Sequence, residues 1–445
     1  MSQPERQHDS TEEQQEEKGH PARGLEGNAI RALIRNRSFS ALWVGQLLSQ
    51  TGDRFRFIAI LVIVNNLTGG DPLAITALAF TIVIPQFAFG LVGGAVSDRF
   101  NRKTVMIVSD VLRGVFSLPI LLANNPSHLY LLYIASIGLE IISVFFYPAR
   151  NAAIPNIVGP GRLMAANALM QGSYIVALII GAVLAGYLTE LLGTSFAIIV
   201  DSATFFFSAG MIGLMTIPPV TGVVPGTRPT FTVLWGEIKA GLQFIRGRRD
   251  LVTILVIAVV AMLGLGQIVV LGVSYLEQRL NVQAAGYGNT FAAVGLGILI
   301  GGLLVSRIAG RVRANVLVGG SLLIVGAAII AFAGAGNYIV VILAAAIIGL
   351  CLVIARASLD TFTQALVPDE MLGRVQAAVQ MTQAVGTALA QGLAGVLAEL
   401  LKSVENVFIL AGGVTVIAGL AAIFTLRDAA EELAKSQMMR GPGDE

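Results

Sequence analysis

The stretch GGAVSDRFNRK, residues 93–103, decides how this chain is read. One apolar run ends there and another begins at Thr104. Between them stand Asp98, Arg99, Arg102 and Lys103, tied to the pair Gly93 and Gly94. Charges this dense between two runs of membrane length mark a tight turn at a membrane surface. The glycines let two helices approach closely, and the cations stay in water. A weaker copy lies further on, GGLLVSRIAGR at residues 301–311. Gly93 and Gly94 match Gly301 and Gly302, Arg99 matches Arg307, Lys103 matches Arg311, and Asp98 becomes Ser306. The chain therefore reads as two related halves, of which only the first keeps the acid.

Composition agrees. Of 445 residues, 55% are hydrophobic and 13% are charged, where a soluble domain carries roughly 25% charged residues. This is a polytopic membrane protein. Cys351 is the only cysteine, so an intrachain disulfide is impossible. His8, His20 and His128 are scattered, which argues against a metal cluster. No phosphate loop of the GxxxxGK[ST] kind occurs, and no nucleophile–base set is visible, so neither ATP hydrolysis nor another enzymatic activity is expected. No cofactor and no nucleic-acid partner are implied.

A spanning helix needs about 20 mostly apolar residues. That rule predicts twelve spans, at 39–65, 73–96, 104–123, 129–148, 163–189, 195–217, 251–274, 288–306, 316–335, 338–356, 375–400 and 407–426. The expected fold is thus all-α, with two pseudo-symmetric six-helix bundles at 39–217 and 251–426. Residues 1–38 read as a disordered tail and basic entry, the polar Glu/Gln-rich part covering about the first 28. Residues 427–445 read as a second tail. The segment 218–250 reads as a linker that turns amphipathic, with Phe231, Leu234, Ile238, Leu242 and Ile245 at helical spacing. With both termini in the cytoplasm, the inside segments hold 24 of the 29 Lys and Arg residues and the outside loops hold Arg279 and Lys402. Such asymmetry sets topology in a plasma membrane. Parallel six-helix repeats suit a transporter whose substrate site lies between the halves near the midplane.

Ionisable groups in mid-membrane are functional candidates by default. The first span carries Asp53, Arg54 and Arg56, with Asp53 and Arg56 on one face and Gln46 and Gln50 continuing it. Two readings stand: a proton or cation site tuned by Arg56, or a permanent ion pair that locks the helix. Glu140 lies mid-span in the fourth helix with no base near it in sequence, as a proton carrier requires. The competing reading is a neutral acid bonded to a neighbouring helix. Asp110 and Arg113 in the third span read as a structural pair. Asp201 enters the sixth span without a local partner, and Arg54 or Arg56 could reach it. Phe57, Phe145, Tyr147 and Tyr275 read either as an apolar pocket or as packing. The Gly-rich fifth span (Gly172, Gly181, Gly186) and eighth span (Gly295, Gly297, Gly301, Gly302) allow close backbone contact, and these two helices are expected at the seam between halves.

The residues quoted for the first loop, Gly94, Asp98, Arg99, Arg102 and Lys103, match the loop 2–3 motif of the major facilitator superfamily, and the chain resembles that family nearly end to end. NRSFSALWVGQLLSQTGDRF, PARNAAIP, QAAGYG and VPDEMLGRV are similar to the branch holding enterobactin exporters and macrolide efflux pumps. The resemblance implies a monomeric secondary transporter that exports an amphiphilic small molecule through the bilayer, coupled to protons. It points Asp53 and Glu140 toward a central path and adds Arg356 at the inner end of the tenth span. It also implies that loop 93–103 meets the start of the eleventh span, Gly373 and Arg374, when the inner gate closes, with Asp98 on that helix end and Arg99 and Arg102 near Asp369 or Glu370. One motif departs: Gly181-Ala182-Val183-Leu184-Ala185-Gly186 lacks the Pro and one Gly of the antiporter pattern Gly-Pro-x-x-Gly-Gly.

Overall fold

A computed structural model describes residues 22–218, 231–308 and 311–426. The two expected tails therefore lie largely outside the described residues, as do 219–230 of the linker and the side chains of Asp98 and Asp369. Every long element among the described residues is a helix. The N-terminal half contains α1 (Ala22–Arg35), α2 (Arg37–Thr68), α3 (Pro72–Arg99), α4 (Arg102–Ser117), α5 (Leu129–Val158), α6 (Leu163–Val176), α7 (Ala182–Leu192) and α8 (Thr194–Leu214). The C-terminal half contains α9 (Phe231–Arg246), α10 (Arg249–Leu280), α11 (Ala284–Ile308), α12 (Ala314–Ala333), α13 (Tyr338–Leu366), α14 (Asp369–Leu401) and α15 (Val404–Thr425). The pair α6 and α7 is one span, joined through a π turn at Ala177–Gly181.

Eleven spans among the described residues are long and apolar enough to cross a membrane. The remaining expected span, α2, has the length at 32 residues but carries Gln46, Gln50, Asp53, Arg54 and Arg56. A helix this polar cannot face lipid along its whole length, and it packs inside the bundle instead. Helix ends follow local chemistry. Asn36 caps α2 by accepting from the amides of Ser38 and Phe39, and Gly69 closes it at φ 65°. Asn101 caps α4 through the amides of Lys103 and Thr104, so the basic turn that opens this account is also a helix start.

Three expectations need correction. The tail read as unstructured becomes helical by Ala22, because Ile30, Leu33 and Ile34 recur at helical spacing and Leu33 is wholly buried. The spans are longer than the apolar runs at several ends: α5 continues through Pro148 and Pro155 to Val158, and α10 continues past Ser274 to Leu280. The third concerns single glycines: the fifth and eighth spans do meet at the seam, through Gly186 on Gly288 and Gly295 on Leu178 and Ile179, but Gly297 and Gly301 seat the backbone of α13 at Ala346 and Leu350. Gly172 and Gly302 meet nothing. The π turn explains the scatter in the fifth span, since one extra residue per turn rotates the helix face. Gly181 faces Thr51 and Arg54 of α2, whereas Gly186 lies against Gly288 of α11.

The halves meet along α3 with α14, α7 with α11, and the ends of α2 and α10. Call the surface bearing α1, α9 and the 99–102 turn the terminal face, and the other the distal face. The hydrogen bonds that join the halves among the described residues all lie toward the distal face. Asn65 donates to Glu277; Ser274 and Gln278 donate to the Gly70 carbonyl; the Ala285 amide donates to Glu190; Asn289 donates to Tyr187. The same end is packed by Gly395 on Thr76 and Gly392 on Phe80. Toward the terminal face no hydrogen bond or ion pair joins the halves among the described residues.

Candidate functional site: a shared arginine inside the N-terminal half

The polar face of α2 is the core of the site. Arg56 Nη2 lies 2.8 Å from Asp53 Oδ1, as spacing three on a helix requires. Its Nε lies 3.3 Å from Asp201 Oδ2 on α8. The open question between Arg54 and Arg56 is thereby answered: Arg56 holds Asp201, and Arg54 turns to the Tyr174 ring of α6 at 5.4 Å. Asp201 is 0% exposed and also accepts from the Ser117 hydroxyl at 2.7 Å. Asp53 keeps 19% of its side chain exposed. Glu140, on α5, is partly buried. Among the described residues its carboxylate makes no ion pair within 4.0 Å.

Asp110 and Arg113 are paired as expected, and both are buried within the bundle. Arg113 is flanked by the rings of Phe146 at 4.1 Å and Phe205 at 4.6 Å. Two aromatic faces and one carboxylate are what a buried guanidinium needs. Gln50 is half-buried, with its Oε1 unpartnered. Gln46 accepts from Arg150 at 3.1 Å, and Arg150 in turn lies over Tyr147 at 5.0 Å. Tyr275 belongs to packing: its hydroxyl donates to the Ala333 carbonyl, and its ring stacks with Phe332 and Phe408. Phe57 instead reaches across the seam to Phe291, with ring centroids 5.2 Å apart.

The gate residues are not brought together here. Arg102 donates to the Ala152 carbonyl and Lys103 to the Gly213 carbonyl, both within the N-terminal half. Arg99, Arg356 and Arg374 are exposed. Gly373 has open space around it, and the Arg374 carbonyl is covered by Gly241 of α9. Of the glycine pair, Gly93 makes the close approach, onto the Val144 carbonyl of α5, while Gly94 meets nothing. Among the described residues no group of three or more His, Cys, Asp or Glu is placed to hold a metal.

Sequence reasoning missed Glu277 and Glu190. Glu277 accepts from Asn65 and from the Tyr287 hydroxyl at 2.7 Å, and Glu190 accepts from the Ala285 amide in the first turn of α11 at 2.9 Å. Both line a cavity of about 400 Å³ between the halves at the distal face. Their signal was present: each is an acid at the outer edge of a predicted span.

Two six-helix halves, a basic loop between α3 and α4, and a charged α2 inside the bundle agree with one family model, the Major Facilitator Superfamily, which matches residues 42–391. The chain belongs to that family. The MFS-type transporter YfiS of Bacillus subtilis is 25% identical over 88% of this chain and 94% of its own length. Macrolide efflux protein A of Streptococcus pyogenes is 22% identical over 76% and 83%. The enterobactin exporter EntS of Escherichia coli is 25% identical over 71% and 74%. In fold, the chain is similar to a bacterial homologue of the human lysosomal transporter Spinster, with TM-score 0.64 at 14% identity over 94% of this chain and 99% of that one. A bacterial homologue of the iron transporter ferroportin gives TM-score 0.64 at 16% identity over 90% and 99%. This member of the superfamily is a multi-pass membrane transporter, not an enzyme.

Proposed function

We propose that this transporter exports an amphiphilic small molecule by alternating access, driven by protons, from a cytoplasm that contains both termini. The terminal face is then the inner face, and the described arrangement, fastened distally, is the inward-open state. The observation that carries the coupling is Arg56, one guanidinium held between Asp53 and Asp201. A proton reaching one acid frees Arg56 to pair with another, which gives the bundle two charge arrangements to alternate between. Efflux is favoured over uptake by the relatives named for macrolide and enterobactin export. A lysophospholipid transporter, 28% identical over 35% of this chain, extends the range of cargo toward lipid-like molecules. The working unit is a monomer in the plasma membrane. In the inner-closed state, loop 93–103 closes on Gly373 and Arg374.

The test uses purified protein in proteoliposomes, with erythromycin, enterobactin and a lysophospholipid as probes. An imposed pH gradient drives accumulation of at least one probe in the wild type. Asp53→Asn and Glu140→Gln abolish the gradient-driven component while the protein remains monodisperse. Full activity in both variants overturns the assignment of these acids. Flux that reaches only equilibrium, with or without the gradient, makes the protein a facilitator.

A further inference from the structure

Arg56 is the one base in the interior of the N-terminal half that ion-pairs with two carboxylates among the described residues. Asp110 and Arg113 neutralise each other. Arg54 is engaged with Tyr174, and Arg150 with Gln46 and Tyr147. Among the described residues Arg54 and Arg150 thus have no carboxylate partner, whereas Asp53 and Asp201 share a single guanidinium. One cation offsets one carboxylate, and every further net charge at this depth carries a large solvation penalty.

Three acids differ in access. Asp53 is partly open, Glu140 is partly buried, and Asp201 is wholly buried. Asp201 Oδ2 receives the Ser117 hydroxyl and faces Arg56, whereas Oδ1 is buried without a partner. A bare carboxylate oxygen in a dry interior is the costly form, and a neutral carboxyl is the tolerable one. Arg56 is one helical turn nearer the distal end of α2 than Asp53, so the guanidinium bridges an open acid and a closed one.

We propose that Asp201 is a further acid of this transporter that holds an exchangeable proton, sharing Arg56 with Asp53. The proposal rests on the proton-coupled reading above. When Asp201 takes up a proton from water, one O–H bond forms, its ion pair with Arg56 ends, and the guanidinium belongs to Asp53. When the O–H bond breaks and the proton returns to water, Arg56 is shared again. The charged groups facing Asp201 are Arg56 and Asp53 from α2 and Arg113 from α4, with Ser117 at the end of α4 as its hydrogen-bond donor. The acid and phenol of α7, Glu190 and Tyr187, are engaged with α11.

Infrared difference spectra of the reconstituted full chain, taken between alkaline and acid pH, test this without any substrate. The wild type gains a carboxyl C=O band on acidification. Asp201→Asn loses that component and Asp53→Asn retains it. Ser117→Ala, which removes the hydroxyl, moves the band to higher frequency. An Asp201→Asn spectrum that superimposes on the wild type overturns the proposal. Where Asp201→Asn does not fold, a band unmoved in Ser117→Ala does the same. Gradient-driven flux of a probe with no Asp201 component refutes Asp201 alone. An Asp201 component with gradient-independent flux refutes proton coupling and leaves the protonation of Asp201 standing.

Discussion

Arg113 shows what a buried charge requires in this protein. Its guanidinium is enclosed by Asp110, Phe146 and Phe205, and the residue is 2% exposed. Removing one partner of such a pair leaves the other charged and unsolvated, at a cost of about 3–5 kcal/mol. Arg113→Leu should therefore lower the melting temperature of the detergent-purified protein sharply. Asp110→Leu combined with Arg113→Leu should recover most of that loss, since well-packed apolar replacement of both partners is often neutral. The spacing of Asp110 and Arg113 made their pairing readable from sequence, as did that of Asp53 and Arg56. The partner of Asp201 was readable only as far as Arg54 or Arg56. It stands on α2, separated by most of the N-terminal half, and helical spacing says nothing about contacts between helices so far apart in sequence.

At the scale of the element, glycine position matters more than glycine content. A Cβ on Gly93 would lie 2.2 Å from the Val144 carbonyl, whereas one on Gly94 meets open space. Overpacking of this kind costs about 1–3 kcal/mol. Gly93→Ala should lower thermal stability by that order in a melting series, and Gly94→Ala should leave it near wild type. The twelve spans were legible because hydrophobic length is a property of local sequence alone. Which glycine touches which helix was not, because it depends on rotation about the helix axis. In the fifth span the π turn at Ala177–Gly181 resets that rotation, and nothing in its composition announces it. Likewise the GxxxG spacing of Gly297 and Gly301 correctly signalled a close helix contact, but α13 is the neighbour.

For the whole molecule, the distal fastening sets which state is populated. Glu277 gathers Asn65 from the N-terminal half and Tyr287 from its own half. Hydrogen bonds to a charged group contribute about 1.5–3 kcal/mol each, and about 1.4 kcal/mol is a tenfold change in a two-state ratio. Glu277→Ala should therefore raise the distal-open population by about tenfold or more. Spin labels at Thr68 and Gln283, on the two sides of this seam, should report it as a new longer-distance component in pulsed dipolar spectra. The repeat of the basic loop made the two halves legible. The bonds across the seam were not, since all but Gly70 among their donors and acceptors sit on helices, and which of them face one another depends on how the two halves dock.

The bonds that fasten the distal edge sit beside a polar cavity lined by Asn66, Thr189, Glu190 and Gln283, at the end of the spans and not at their middle. Water can replace each of them as it breaks, so that rim should unzip and reseal with little resistance. The cluster around Arg56 has no such substitute at hand. A cycle arranged this way is paced from the interior: conditions that strand a charge beside Arg56 should stall turnover while the rim goes on breathing. Labels on the rim and assays of flux should then disagree, with motion persisting where transport has ceased.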